Sequence, residues 1–72
     1  MNKSDLLVGF GLRIQEKRMR KSLSQEEFAA IVGVHRTYIG MIERAEKNVT
    51  ILTVIKLAQA LETSMSELLE GL

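Results

Sequence analysis

Residues 25–44 carry a register that few chain geometries can satisfy. Counted from Gln25, the fifth residue is small (Ala29), the ninth is Gly33, and apolar residues stand fourth, eighth, tenth, fifteenth and eighteenth (Phe28, Val32, Val34, Ile39, Ile42). Two helices that cross steeply through a turn of about three to four residues need a small side chain at the crossing and a residue tolerant of positive φ at the corner. Each also needs apolar residues on its concave side. All these requirements are met in step. In the second helix, Val34, Ile39 and Ile42 point inward, while Arg36, Thr37, Gly40 and Arg44 fall on the other side. That outer face offers a forked cation, a small hydroxyl, a residue with no side chain and a second cation. Such a face suits a charged, hydrogen-bonding surface, for which the DNA major groove is the natural candidate.

The rest of the composition agrees with a small helical body. The 72 residues are expected to form one domain, 1–72, near the lower limit for a chain that buries an adequate core alone. There is no Cys, hence no disulfide and no thiolate metal site. Proline is absent, Phe and Tyr are scarce, and Leu, Ile, Ala, Glu and Lys abound. Apolar runs are too short to span a membrane, and the N-terminus lacks the layout of a secretory signal. A cytoplasmic protein is expected, nucleoid-associated if the source is bacterial. The net charge of +1 hides a division: residues 1–48 hold nine Lys or Arg against six acids, whereas residues 62–72 hold Glu62, Glu67 and Glu70 with no base. A weakly basic body with an acidic end suggests one face for an anionic partner and another kept away from it, or else an ordinary mixed surface.

Taken in order, Ser4 can cap a first helix with Asp5 in its first turn. Leu7, Phe10 and Ile14 form its inward stripe, and Gly9 and Gly11 weaken it locally. Its exposed side grows basic through Arg13, Lys17, Arg18, Arg20 and Lys21, either as a solvated face that complements the helix dipole or as a phosphate contact. Ser24 and Glu27 form a capping box for helix two, which Gly33 ends. His35 stands where helix three needs its N-cap. With no second His and no Cys, it is not expected to bind metal. Thr50 caps helix four, from Ile51 to about Leu61, with Ile51, Val54, Ile55, Ala58 and Leu61 as core. Ser64 and Glu67 form a second capping box opening a short fifth helix that ends near Gly71. The expectation is an all-α, compact five-helix orthogonal bundle containing a helix-turn-helix.

Leu23-Ser24-Gln25-Glu26-Glu27-Phe28-Ala29, then Gly33-Val34, then Ile39 to Arg44, resembles the Cro/repressor-type (XRE-like) helix-turn-helix family, which implies a lambda-repressor-like DNA-binding domain. The stretch His35 to Ile39, with Ile42-Glu43-Arg44 and Asn48-Val49-Thr50, is similar to the restriction–modification controller proteins within it. The resemblance implies base reading by Arg36, Thr37, Gly40 and Met41, with Arg36 on guanine O6 and N7. It implies DNA-backbone contacts from Ser24, Gln25, His35, Tyr38, Arg44, Lys47 and Asn48, and a structural salt bridge between Arg18 and Glu43. Ala45 stands where relatives usually have Gly or Asn, a place suited to left-handed geometry, so the helix end is strained or continues differently.

One such domain covers a single half-site, so a homodimer on a palindromic operator is expected. The acidic last helix cannot favour DNA, and Met65, Leu68, Leu69 and Leu72 are many apolar residues for one short helix. With Leu52 of helix four they make the expected isologous dimer interface, the alternative being that Leu68 and Leu69 finish the monomer's core. The functional expectation is therefore a sequence-specific transcriptional regulator, with double-stranded DNA and a second copy of the chain as partners. The alternative is a repressor or antitoxin-like protein-interaction module of the same fold. No acid/base pair with a supporting His, phosphate-cradling loop or metal spacing is present, so neither an enzyme nor a cofactor, small-molecule ligand or membrane partner is expected.

Overall fold

The computed structural model describes residues 3–72 as five helices: α1 (Lys3–Arg20), α2 (Gln25–Val32), α3 (Arg36–Glu43), α4 (Ile51–Ala60) and α5 (Met65–Leu69). No strand occurs among the described residues. No helix there is long and apolar enough to cross a membrane. α2 and α1 both pack on α3, α4 packs on α2, and α5 closes the bundle against α1 and α4.

The helices begin where the sequence provides side-chain acceptors. Ser24 accepts from the Glu27 amide while the Glu27 carboxylate takes the Ser24 amide, at 3.0 and 2.8 Å, which satisfies two orphan donors reciprocally. Thr50 and Ser64 accept from the amides of Thr53 and Glu67. The box expected at Ser64 is only half made, because the Glu67 carboxylate accepts from the Thr63 hydroxyl at 2.5 Å instead of reaching back. Ser4 is not a cap: α1 already includes Lys3, so Ser4 lies inside the helix, with Asp5 in the first turn as expected.

The helix ends share one device. Beyond α1, α3 and α4 the chain turns through a left-handed residue, Ser22, Ala45 and Glu62, with φ of 57°, 62° and 56°. In each case the amide of that residue and the one after it bond back to carbonyls of the last turn. Ala45 N–H donates to Ile42 O and Glu46 N–H to Met41 O, at 3.1 and 2.8 Å. This is the paired closure that usually takes glycine. Ala45 thus adopts the geometry that its position asks for, at a cost of roughly 1 kcal/mol for carrying a Cβ there. Only α2 among these four closes on glycine, with Gly33 at φ 89°.

The core is made by Phe10 and Ile14 of α1, Phe28 and Val32 of α2, Ile39 and Ile42 of α3, with Val54, Leu57 and Leu61 from the α4 region. The core of α4 departs from the expected one. Leu57 is fully buried although periodicity had not singled it out, and Ile51, expected inside, is 72% exposed. Side chains lean toward a helix's N-terminus, so a residue in the first turn overhangs the body that the later turns cover. Ile55 is half-buried. Gly11, noted in sequence only as a weak point, is where the α1 backbone lies close against α3. A Cβ there would stand 2.6 Å from Ile42 O and 2.8 Å from Glu43 O, so the α1 backbone rests directly on the carboxyl end of α3.

Candidate nucleic-acid interface

α3 is anchored at its carboxyl end by a buried ionic network. Arg18 of α1 donates from Nε and Nη2 to the two Glu43 carboxylate oxygens, at 2.7 and 3.0 Å. Its Nη1 donates to Leu23 O at 2.7 Å, and Gln25 Nε2 donates to Glu43 Oε1 at 3.0 Å. The two ionic side chains are 10% and 2% exposed. Burying both charges is costly unless nearly every donor and acceptor is matched. That condition holds: among the described residues no buried side-chain nitrogen or oxygen lacks a partner. The pair joins α1, the entry to α2 and the end of α3. The sequence missed Gln25 as its third member; one of the two amide hydrogens expected for a phosphate is committed inward.

At its amino end α3 is started by His35, whose Nδ1 accepts from the Thr37 amide at 3.0 Å. That bond leaves Nε2 to carry the outward hydrogen, since a neutral imidazole has one donor and one acceptor. Arg36 and Thr37 follow, both exposed. Arg36 is held only loosely, with Nη1 3.6 Å from Glu26 Oε2 and both side chains more than half exposed. Ser24, Lys47 and Asn48 are also exposed. Tyr38 is half-buried with its ring packed against the core, and Met41 is half-buried.

Gly40 is not an open gap on the outer face. It is buried, and the Arg44 guanidinium lies across it: a Cβ at residue 40 would stand 2.9 Å from Arg44 Nη1. Arg44 in turn donates from Nε and Nη2 to both oxygens of Glu46, at 2.9 and 3.2 Å. The hydrogen bond to Arg44 holds the Glu46 carboxyl below the usual carboxylate range and raises the arginine.

The basic run of α1 does not join this face. Arg13 Nη1 and Nη2 donate to Glu67 O and Glu70 O, each at 2.8 Å, satisfying carbonyls at the end of α5. Lys17 stands 3.9 Å from Glu67, Lys21 is 2.7 Å from Glu62, and Arg20 pairs with Glu16 within the helix. Within the monomer each of these cations therefore has a partner of its own. The charge division along the chain was the available signal, but its two halves serve each other rather than different partners.

The apolar residues expected at a dimer interface are also sorted by the fold. Leu68 is fully buried within the monomer and cannot reach a partner, which upholds the alternative for that residue. Met65 and Leu72 are half-buried against the core. Leu52 and Leu69 are 58% and 45% exposed. An open apolar hollow lies beside Leu69 and Leu72, lined also by Leu6, Leu7, Val49 and Val54. Leu6 had not been singled out in sequence.

Residues 14–68 match the helix-turn-helix family HTH_3. The chain belongs to that family. Control protein C.SmaI of Serratia marcescens is 54% identical over 56 residues, which are 78% of this chain and 67% of that protein. The crystal structure of the restriction–modification controller protein C.AhdI from Aeromonas hydrophila superposes with a TM-score of 0.84 at 45% identity, over 86% of this chain and 94% of that one. The P22 c2 repressor, solved in complex with a synthetic operator, gives a TM-score of 0.79 at 31% identity, over 86% of this chain and 94% of that one. The all-helical bundle and the controller-type resemblance both stand.

Proposed function

We propose that this helix-turn-helix protein is a restriction–modification controller that binds a palindromic operator as a homodimer. The observation that carries the reading is the amino end of α3, where exposed Arg36 and Thr37 project from a helix locked at its other end by the Arg18–Glu43 network. In this reading Arg36 reads a guanine edge with its fork and Thr37 and Met41 contact neighbouring bases. Ser24, the second Gln25 amide hydrogen, His35 Nε2–H, Tyr38, Lys47 and Asn48 follow the phosphates on either side. Gly40 is removed from direct base reading because Arg44 covers it.

The dimer is formed around exposed Leu69 and Leu52, with Met65 and Leu72 at its margin. Two recognition helices then stand about 34–36 Å apart, one turn of DNA. The names of the relatives support the controller assignment, and the exposed apolar residues near α5 support self-association.

Selection of binding sites from random duplexes with purified protein, followed by titration across salt concentrations, tests the reading. An inverted repeat should be enriched, log affinity should fall linearly with log salt, and sedimentation should report a dimer. A monomer that enriches no sequence would overturn it.

A further inference from the structure

We propose that Glu46 is a latch on Arg44: in the free protein it holds the guanidinium against Gly40, and DNA gains Arg44 only by displacing that carboxylate. The inference rests on the DNA-binding reading and adds to it a residue that sets affinity by holding another.

Three features build the latch. The left-handed turn at Ala45, with φ of 62°, brings Glu46 back over the end of α3, so that residues only two apart in sequence can pair. The Glu46 N–H to Met41 O bond, at 2.8 Å, fixes the backbone from which the carboxylate reaches. The missing Cβ at Gly40 leaves the outer face of α3 flat, and a methyl group there would stand 2.9 Å from Arg44 Nη1. Two nitrogens of the guanidinium then meet two carboxylate oxygens in parallel, the geometry in which arginine binds carboxylate or phosphate most strongly.

The same geometry makes the latch releasable. Both side chains are about half exposed, at 57% and 50%, so the pair exchanges with solvent and with competing anions. This contrasts with the neighbouring Glu43, whose buried carboxylate is committed to Arg18 and Gln25. A phosphate offers Arg44 the same planar pair of acceptors that Glu46 does. While the latch is closed, the end of α3 presents a neutral pair to the duplex instead of a cation.

The test is a double-mutant cycle with Glu46→Gln and Arg44→Ala, titrated against a labelled duplex recovered by selection with the wild-type protein. Circular dichroism should show both variants folded, since neither residue is in the core. Glu46→Gln is expected to tighten binding roughly two- to fivefold when Arg44 is present, the range of an exposed ion pair converted to affinity. In the Arg44→Ala background the same change should be close to neutral. An equal gain in both backgrounds would overturn the proposal, because Glu46 would then be only one more negative charge near phosphate. A weaker complex would also overturn it, by showing that Glu46 aims Arg44 at the duplex. A second measurement needs no DNA: in an NMR titration, Arg44→Ala should raise the Glu46 carboxyl toward its ordinary range. No movement there sinks the latch while leaving DNA binding untouched. A wild-type protein that retains no duplex sinks the DNA reading, and the latch's role with it.

Discussion

Two arginines of α1, Arg13 and Arg18, and the arginines around α3 are similar in kind and opposite in situation. Arg13, Lys17, Arg18 and Lys21 all end on acceptors supplied by distant parts of their own chain: the last carbonyls of α5, Glu67, Glu43 and Glu62. The acceptors of Arg18 and Arg13 are a buried carboxylate and helix-end carbonyls, whereas Arg36 and Arg44, like Lys17 and Lys21, meet exposed carboxylates, Glu26 at 3.6 Å and Glu46 at 2.9 Å for the two arginines, and Lys47 stands in the exposed loop beyond α3. The difference lies in what the acceptor would lose. Removing Arg18 strands a buried carboxylate, and removing Arg13 strands the end of a helix. A solvated carboxylate gives up an arginine at little cost, so an incoming polyanion can take it. Positive charge marks a nucleic-acid surface only where its present partners are replaceable.

The sharpest way to break this contrast is at the buried network. Glu43→Gln leaves the Arg18 guanidinium without its counter-charge and should cost about 3–5 kcal/mol in urea unfolding, with DNA binding lost because the fold is lost. A small change there would make the two groups of cations equivalent. Arg36→Ala should act the other way, costing about 1–3 kcal/mol against the preferred operator and relaxing one base pair while stability stays within about 0.5 kcal/mol. Lys47→Ala should weaken all duplexes alike and lower the salt slope by about 0.9.

Arg13→Ala should lower stability by about 1–2 kcal/mol through the lost bonds to the α5 carbonyls, and should loosen self-association measured by sedimentation. Its salt slope on DNA should match wild type. A slope lower by about one would return Arg13 to the phosphate-contacting group.

The smallest effect is the one on pH. Hydrogen bonds from the Ser24 amide and from Lys21 hold the Glu27 and Glu62 carboxyls below the usual range. A carboxyl lowered by folding contributes stability above its unfolded value, and loses it as pH falls through the folded one. Thermal midpoints should therefore drop on acidification below about pH 4, less steeply in Glu62→Gln.

What the sequence made legible was local. The Ser24 box, the His35 cap and the Gly33 corner each depend on residues within a few positions, where spacing dictates geometry. The register from Phe28 to Ile42 was readable because helical period and a short turn leave few alternatives. Long-range pairing was not readable in the same way. Nothing in the spacing of Arg13 says that it will cap α5 more than fifty residues away, or that Lys21 will find Glu62. Gln25 was assigned to a phosphate alone because its partner, Glu43, reaches it only once the two helices have crossed. Leu68 and Ile51 exchanged their expected roles because period alone does not say where a short helix overhangs its neighbours. The ionic tie between Arg18 and Glu43 was anticipated only through family resemblance.

The left-handed closures at Ser22, Ala45 and Glu62 leave this small fold with untapped rigidity. Each holds a side chain where the backbone favours none, so glycine at Ser22, which is exposed, should raise the melting temperature. An experimenter who needs a sturdier version of the protein has a place to begin that lies outside both its core and its reading face.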